Sequence, residues 1–218
     1  RIPYSVAPAL AFLKGIKHLI TVETGEPVAF FSYPDQPSLL KDPDSQVHIL
    51  VERDEDAALG LEMLLDALGA TAIAPLVQAR IETPMPTGTL NPISIAHALA
   101  HALPEGCIVV DESLTTGRET MGYTMGARPH DMINNLGGSI GYSPPMATGA
   151  ALACPDRRTF CMTGDGSAMY TLQSLWTQAR EQLDITTVIF ANRTYEILKG
   201  EFTHVQAGTP GKKAIDML

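Results

Sequence analysis

No run of apolar residues in this chain approaches the ~20 needed to span a bilayer as a helix, so a membrane-spanning helix is excluded. Lys and Arg total 15 against 24 Asp and Glu, and no basic stretch stands out. The net charge of −9 therefore argues against nucleic acid or an anionic membrane surface as a partner. Cysteine is scarce. Cys107, Cys154 and Cys161 are odd in number and form no CxxC pair, which argues against a disulfide framework and a zinc ribbon. They read as reduced, buried thiols of a cytoplasmic protein. Residues 1–10 hold Pro3 and Pro8 and no apolar core of a signal peptide. No internal repeat or low-complexity segment is visible. There is no Met at the start, and residues 214–218 form an apolar, helix-like run, so the chain reads as a fragment.

What is present is an ordinary globular balance, with 45% hydrophobic and 18% charged residues over 218 positions. This suffices for one large domain, or one domain and part of another. His18 to Val22, Val28 to Phe31 and Val47 to Val51 are short apolar runs that predict buried strands. Asp54 to Leu68 predicts a helix with Ala57, Leu61, Leu64, Leu65 and Leu68 on one apolar face, ended by Gly69. Residues 1–70 thus read as a partial α/β layer, short of the strands that would close it. Pro75, Pro84, Pro86 and Gly88 deny regular structure and mark residues 71–90 as a linker.

From residue 91 a second α/β unit begins. Asn91 caps a helix with Pro92 at its first position and Ile95, Ala98, Leu99 and Ala102 facing inward. Cys107 to Val110 is a strand leading into Asp111-Glu112-Ser113, and a Gly-rich segment follows at 137–149. Thr159 to Thr163 is the next strand. Ala168 to Gln182 is a helix with Leu172, Leu175, Trp176, Ala179 and Leu183 on its core side. Ile185 to Ala191 is a fully buried strand. Strands alternating with helices predict an α/β fold with a mostly parallel, doubly wound sheet. In such sheets ligands sit beyond the carboxyl ends of the strands.

Two strand ends carry the chemistry. Strand 159–163 runs into Gly164-Asp165-Gly166-Ser167, where glycines permit a sharp turn and close approach of a phosphate. A helix beginning there offers free N–H groups, and Asp165 can hold a divalent cation beside the phosphate. The next strand ends at Asn192, and 192 − 165 = 27 residues is one helix plus one strand. A parallel crossover of that length returns the chain beside Asp165. One carboxylate, one amide oxygen and a carbonyl from the 193–195 loop, completed by phosphate and water oxygens, suit magnesium. A plain strand–turn–helix with a Gly-Asp-Gly cap is the alternative.

The stretch GDGSAMYTLQSLWTQAREQLDITTVIFANRTY, residues 164–195, resembles the signature of thiamine-diphosphate-dependent enzymes. It is most similar to the acetolactate synthase and benzoylformate decarboxylase group. The resemblance covers residues 91–218 well, as the diphosphate-binding domain, and 1–70 more weakly, as the end of a Rossmann-like central domain. It implies thiamine diphosphate and Mg2+ as cofactors, with Asp165, Asn192 and the Thr194 carbonyl on the metal. It also implies diphosphate contacts from Leu114, Thr115, Gly164, Gly166, Ser167 and the segment Tyr195-Glu196-Ile197. Leu114 replaces a more frequent Ser or Thr, so only its backbone can serve. Gly138, Ser139 and Ile140 match the segment around the aminopyrimidine, the Gly138 carbonyl accepting from the amino group and Ile140 wedging between the two rings. Many relatives have Asn-Asn where this chain has Ala191-Asn192.

The activity implied is decarboxylation of a 2-oxo acid with carboligation, or simple decarboxylation as in benzoylformate decarboxylases. The implied activating Glu lies in an N-terminal pyrimidine-binding domain of a partner chain, within a homodimer or homotetramer. FAD occurs in some relatives. A phosphate- or nucleotide-binding module, or a non-catalytic assembly module, stands as the alternative of another class. Asp111-Glu112 reads on its own as a solvated turn, and Ile140 as a core residue beneath a Gly-rich loop. His97 and His101, four apart, read as a solvated helix face. Arg118 and Arg128 read as surface residues, with a substrate carboxylate as the other option. Trp176 reads as core.

Overall fold

A computed structural model describes residues 2–77, 79, 82–134 and 138–218. Gly137, at the head of the Gly-rich segment, and linker positions 78, 80 and 81 lie outside the described residues. The chain forms two compact units, Arg1–Gln78 with His204–Gln206, and Ala79–Thr203 with Ala207–Leu218.

In the first unit, α1 (Val6–Leu13) precedes parallel strands β1 (His18–Val22) and β2 (Gln46–Val51). Val6, Ala9 and Leu13 recur at helical spacing and meet Leu40 in a small core, with Leu19 packed against it. The expected strand at 28–31 does not form; Val28 makes only an isolated antiparallel bridge to Leu39. Pro27 and Pro34 bracket it, and only a short ladder remains possible. The helix expected from Asp54 is α2 (Ala57–Ala67), capped by Asp56, whose side chain accepts from the Leu59 N–H at 3.0 Å. Gly69 ends it in the left-handed conformation, φ 62°. The apolar face of α2 buries no residue, because a two-stranded layer offers it little to cover.

In the second unit, Asn91 caps α3 (Pro92–Ala102) by a reciprocal box: its side chain accepts from Ser94 N–H, and Ser94 Oγ accepts from Asn91 N–H. The buried stripe is Ala96, Leu99 and Ala100, continued by Leu103, so it is rotated from the expected set and Ala102 is exposed. β3 (Ile108–Glu112), β4 (Asp131–Asn134), β5 (Thr159–Gly164) and β6 (Ile185–Phe190) form one sheet of order β4-β3-β5-β6, every pair parallel. Side chains alternate across it. Val109, Phe160, Met162 and Phe190 join Leu99 and Leu103 of α3 on one face. Val110 and Cys161 join Ala147 of α5 (Ser143–Ala153) on the other. Both faces are covered by helices, as the expected α/β class requires.

Several local expectations change. β3 runs two residues past Val110, so Asp111 and Glu112 belong to a strand. The Gly-rich segment contains the start of α5, made possible by prolines at its first positions. α4 (Thr120–Thr124) and β4 were not anticipated. The helix expected over 168–182 is split into α6 (Asp165–Ala168) and α7 (Gln173–Arg180). α7 buries Gln178 while Trp176 is 64% exposed, which overturns its assignment to the core. Gln178 Nε2 donates to the Pro144 carbonyl (3.0 Å) and Thr148 Oγ1 (3.1 Å), so a polar link joins α7 to α5. β6 is only partly buried, since β5 alone flanks it among the described residues. Cys107 and Cys161 are buried, as read, and Cys154 is half-buried.

Candidate functional site

From β3 the sheet grows outward to β4, and from β5 it grows the opposite way to β6. The connections therefore part between the tips of β3 and β5, the crevice at which open parallel sheets bind ligands. The β5–β6 register pairs Gly164 with Phe190, so Asp165 and Asn192 leave adjacent strands side by side.

The two loops are joined through backbone donors. Asp165 Oδ1 accepts from Gly166 N–H (3.0 Å), and Oδ2 accepts from Arg193 N–H (2.8 Å). Asn192 Oδ1 accepts from Thr194 N–H at 3.1 Å, and Asn192 Nδ2 faces Thr115 Oγ1 at 3.5 Å. Arg193 takes φ 60° to present its N–H, a left-handed conformation unusual for a residue with Cβ. Gly166 is required by proximity: a Cβ there would stand 2.5 Å from the Tyr195 ring. α6 is a single turn of four residues, so the close N–H groups come from the Gly-Asp-Gly turn more than from a long helix.

The third loop leaves β3. Asp111 Oδ1 accepts from Ser113 N–H (2.9 Å) and Ser113 Oγ (2.5 Å), winding the chain back on itself. Leu114 takes φ 42°, and a Cβ at Gly117 would collide with Ser113. This tight winding brings Leu114 and Thr115 to the crevice.

Glu112 was the residue missed. It is 1% exposed, and its carboxyl oxygens accept from Gly141 N–H (2.5 Å), Ser143 N–H (2.9 Å) and Ser143 Oγ (2.8 Å). The reading of Asp111-Glu112 as a solvated turn is thereby corrected. The signal was available: Glu112 shares the parity, and so the sheet face, of buried Val110. Nearby, Tyr142 donates to the Asp111 carbonyl (2.5 Å), and burial foremost pushes its hydroxyl well above the usual range. Burial likewise pushes the Cys161 thiol up to about 11, with a hydrogen bond to Ser143 opposing.

Leu114, Thr115, Ile140, Gly164, Asp165, Gly166, Ser167, Asn192, Thr194, Tyr195, Glu196 and Ile197 line one cleft, partly open to solvent. Ser113, Thr116, Tyr170, Phe190 and Leu198 line it too and were not foreseen. Gly138 (φ 66°) and Ser139 stand outside this wall; Ser139 lines a neighbouring hollow together with Ile140. Ile140 is 39% exposed, which removes the reading of it as a core residue. Tyr195 N–H donates to the Leu218 carbonyl (2.5 Å), so it does not face the cleft as expected, while Glu196 opens α8 (Glu196–His204). His97 packs edge-on against Tyr123, and His101 Nε2 bonds the Thr83 carbonyl at 2.6 Å, so the pair shares no ion. Arg118 and Arg128 are exposed.

The donor set is oxygen only, as a hard cation requires. Each Asp165 oxygen and Asn192 Oδ1 takes one backbone hydrogen bond, and a carboxylate or amide oxygen has a second acceptor site left over. The residues present fit a divalent cation clamping a phosphate.

A parallel sheet with an oxygen-lined cleft beyond the carboxyl ends of β3, β5 and β6 defines a ligand-binding α/β protein. Residues 115–216 match the family described as thiamine pyrophosphate enzyme, C-terminal TPP binding domain. A Mycobacterium tuberculosis strain H37Rv protein bearing the name of an acetolactate synthase large subunit, IlvX, is 46% identical over 219 residues, which span 100% of this chain and 42% of that one. Benzoylformate decarboxylase of Pseudomonas aeruginosa is 31% identical over 147 residues, covering 66% of this chain and 28% of the relative. Among solved structures, a thiamine diphosphate-dependent 4-hydroxybenzoylformate decarboxylase of Rhodococcus jostii RHA1 shares the fold, with TM-score 0.70 at 23% identity over 97% of this chain and 42% of that one. The chain is similar to the C-terminal part of thiamine-diphosphate-dependent enzymes. It spans less than half the length of these relatives.

Proposed function

We propose that this chain anchors the diphosphate of thiamine diphosphate through a Mg2+ ion held by Asp165, Asn192 and the Thr194 carbonyl, within a protein that decarboxylates a 2-oxo acid. The reading rests on one observation above others: the loops after β5 and β6 are tied together by Arg193 N–H on Asp165 Oδ2 at 2.8 Å, and Asp165, Asn192 and Thr194 line one cleft. Leu114 and Thr115 offer backbone and hydroxyl contacts to the diphosphate, with Gly164, Gly166 and Ser167 opposite. Glu196 and Ile197 close the rim, and Tyr195 covers Gly166 by its ring. Ile140, with Gly138 and Ser139 beside it, meets the ring system. When bound, the cofactor supplies the carbon nucleophile and electron sink, and the protein supplies position.

Residues 91–218 serve in this reading as the diphosphate-binding domain, 71–90 as linker, and 1–70 as the end of a central domain. Identity of 46% along the whole chain to a protein named for acetolactate synthase favours carboligation after decarboxylation over simple decarboxylation. The pyrimidine-activating Glu comes from an N-terminal domain of a partner chain in a homodimer or homotetramer, and the protein works in the cytoplasm.

Calorimetric titration tests the reading. Thiamine diphosphate is expected to bind in the presence of Mg2+ and to lose affinity when Mg2+ is chelated. ATP binding equally well would support a general phosphate module and overturn the thiamine assignment.

A further inference from the structure

Ile140 is the one described residue that lines both the diphosphate cleft and the neighbouring hollow, so it forms the wall between them. Its loop has no regular structure to hold it: Gly138 and Gly141 take left-handed φ of 66° and 85°, and α5 begins only at Ser143. The loop is instead gripped at Gly141 from two sides. Its N–H donates to Glu112 at 2.5 Å, and its carbonyl accepts from Thr171 Oγ1 at 2.6 Å. Glu112 adds both donors of Ser143. The three groups facing Glu112 are all donors, so only an acceptor-only side chain satisfies them. At 1% exposure, with its bonds directed into the protein, Glu112 does not reach a ligand.

Resting on the thiamine-diphosphate reading above, we infer that Glu112 is a positioning residue, which holds the 138–143 loop so that Ile140 stands preformed against the cofactor's rings. The dipeptide at the tip of β3 then divides its work. Asp111 winds the 113–117 loop that meets the diphosphate, and Glu112, on the opposite face of the strand, sets the wall that meets the rings. The inference separates two parts of one ligand. Loosening the 138–143 loop lowers affinity for what the rings contribute and leaves the diphosphate grip alone.

The experiment uses the full chain and two probes, thiamine diphosphate and inorganic diphosphate, each titrated calorimetrically with Mg2+. E112Q keeps the shape but points an NH2 group at donors. If its loop stays in place about a tenth of the time, thiamine diphosphate should bind about tenfold more weakly, and inorganic diphosphate within about twofold of wild type. Amide exchange should speed up at Gly141 and Ser143 and not in residues 165–167 or 192–194. T171V, which releases the Gly141 carbonyl, should act in the same direction and decides the matter if E112Q does not fold. Equal weakening of both probes, or no weakening of either, overturns the inference. A wild-type chain that binds both probes equally overturns the thiamine reading itself, and this inference with it.

Discussion

Asp165 and Glu196 are the carboxylates that line the cleft among the described residues, and the two oxygens of Asp165 already organise two backbone segments. Asp165→Asn removes the charge and sets an NH2 against one of those N–H donors. Because even supporting contacts around a metal are worth about 10–100-fold in affinity, this change should weaken Mg2+-dependent thiamine diphosphate binding by about 100-fold or more, as read by titration. Gly166→Ala places a methyl group 2.5 Å from the Tyr195 ring. Thermal unfolding should show a loss of about 1–3 kcal/mol, the usual cost of overpacking, partly recovered by Tyr195→Ala in the same chain. The thiols offer a third test at this scale. Cys107 and Cys161 are buried and burial raises both pKa values, so a thiol reagent near pH 8 should label Cys154 first and the other two only on unfolding.

At the scale of elements, helix faces were harder to read than strand ends. The region 168–182 has enough apolar residues for a long amphipathic helix, with Trp176 as the obvious core anchor. The chain instead makes a short turn after Asp165, kept tight by the Gly-Asp-Gly geometry, and restarts at Gln173 with a new rotational phase. Trp176 then faces outward with Arg180 over its ring at 4.8 Å. Trp176→Ser should cost no more than about 1 kcal/mol, the worth of an exposed cation–π contact, against about 3–5 kcal/mol for a buried Trp. Gln178→Leu should cost more than its polarity suggests, about 1–3 kcal/mol, because Pro144 and Thr148 lose a buried donor. Chemical denaturation of the two variants checks the order. The strands were legible because parallel strands covered on both faces are continuous apolar runs, as Thr159 to Thr163 is. β4 was not legible, because Asp131-Met-Ile-Asn134 is short and half polar, and among the described residues pairs only with β3.

For the whole molecule, the first unit is the part with the least covered apolar surface on its elements. Its two-stranded sheet leaves α2 without a single buried residue, and Ile20 and Ile49 stand exposed on the strands. The chain also covers 42% of the relative that matches it from end to end. Within the proposed function, the chain alone should bind the cofactor and not turn over a 2-oxo acid, since the activating Glu is supplied elsewhere. A decarboxylation assay with thiamine diphosphate and Mg2+ checks this, and turnover at the rate of a full-length relative would refute it.

That the loops after β5 and β6 would lie side by side could be read from the residues because both follow the carboxyl ends of apolar strands, and one helix plus one strand of separation is a local, covalent constraint. Gly164-Asp165-Gly166 and Asn192 needed no knowledge of packing to be paired. What only the tertiary structure decided were contacts between distant parts of the chain. Glu112 reaches residues 29 and 31 positions away, and Gln178 reaches one 34 away. Such partners are set by which sheet face a side chain occupies and which helix covers that face. Spacing along the chain determines the first once a strand's limits are known, but the second follows only when the whole sheet is ordered.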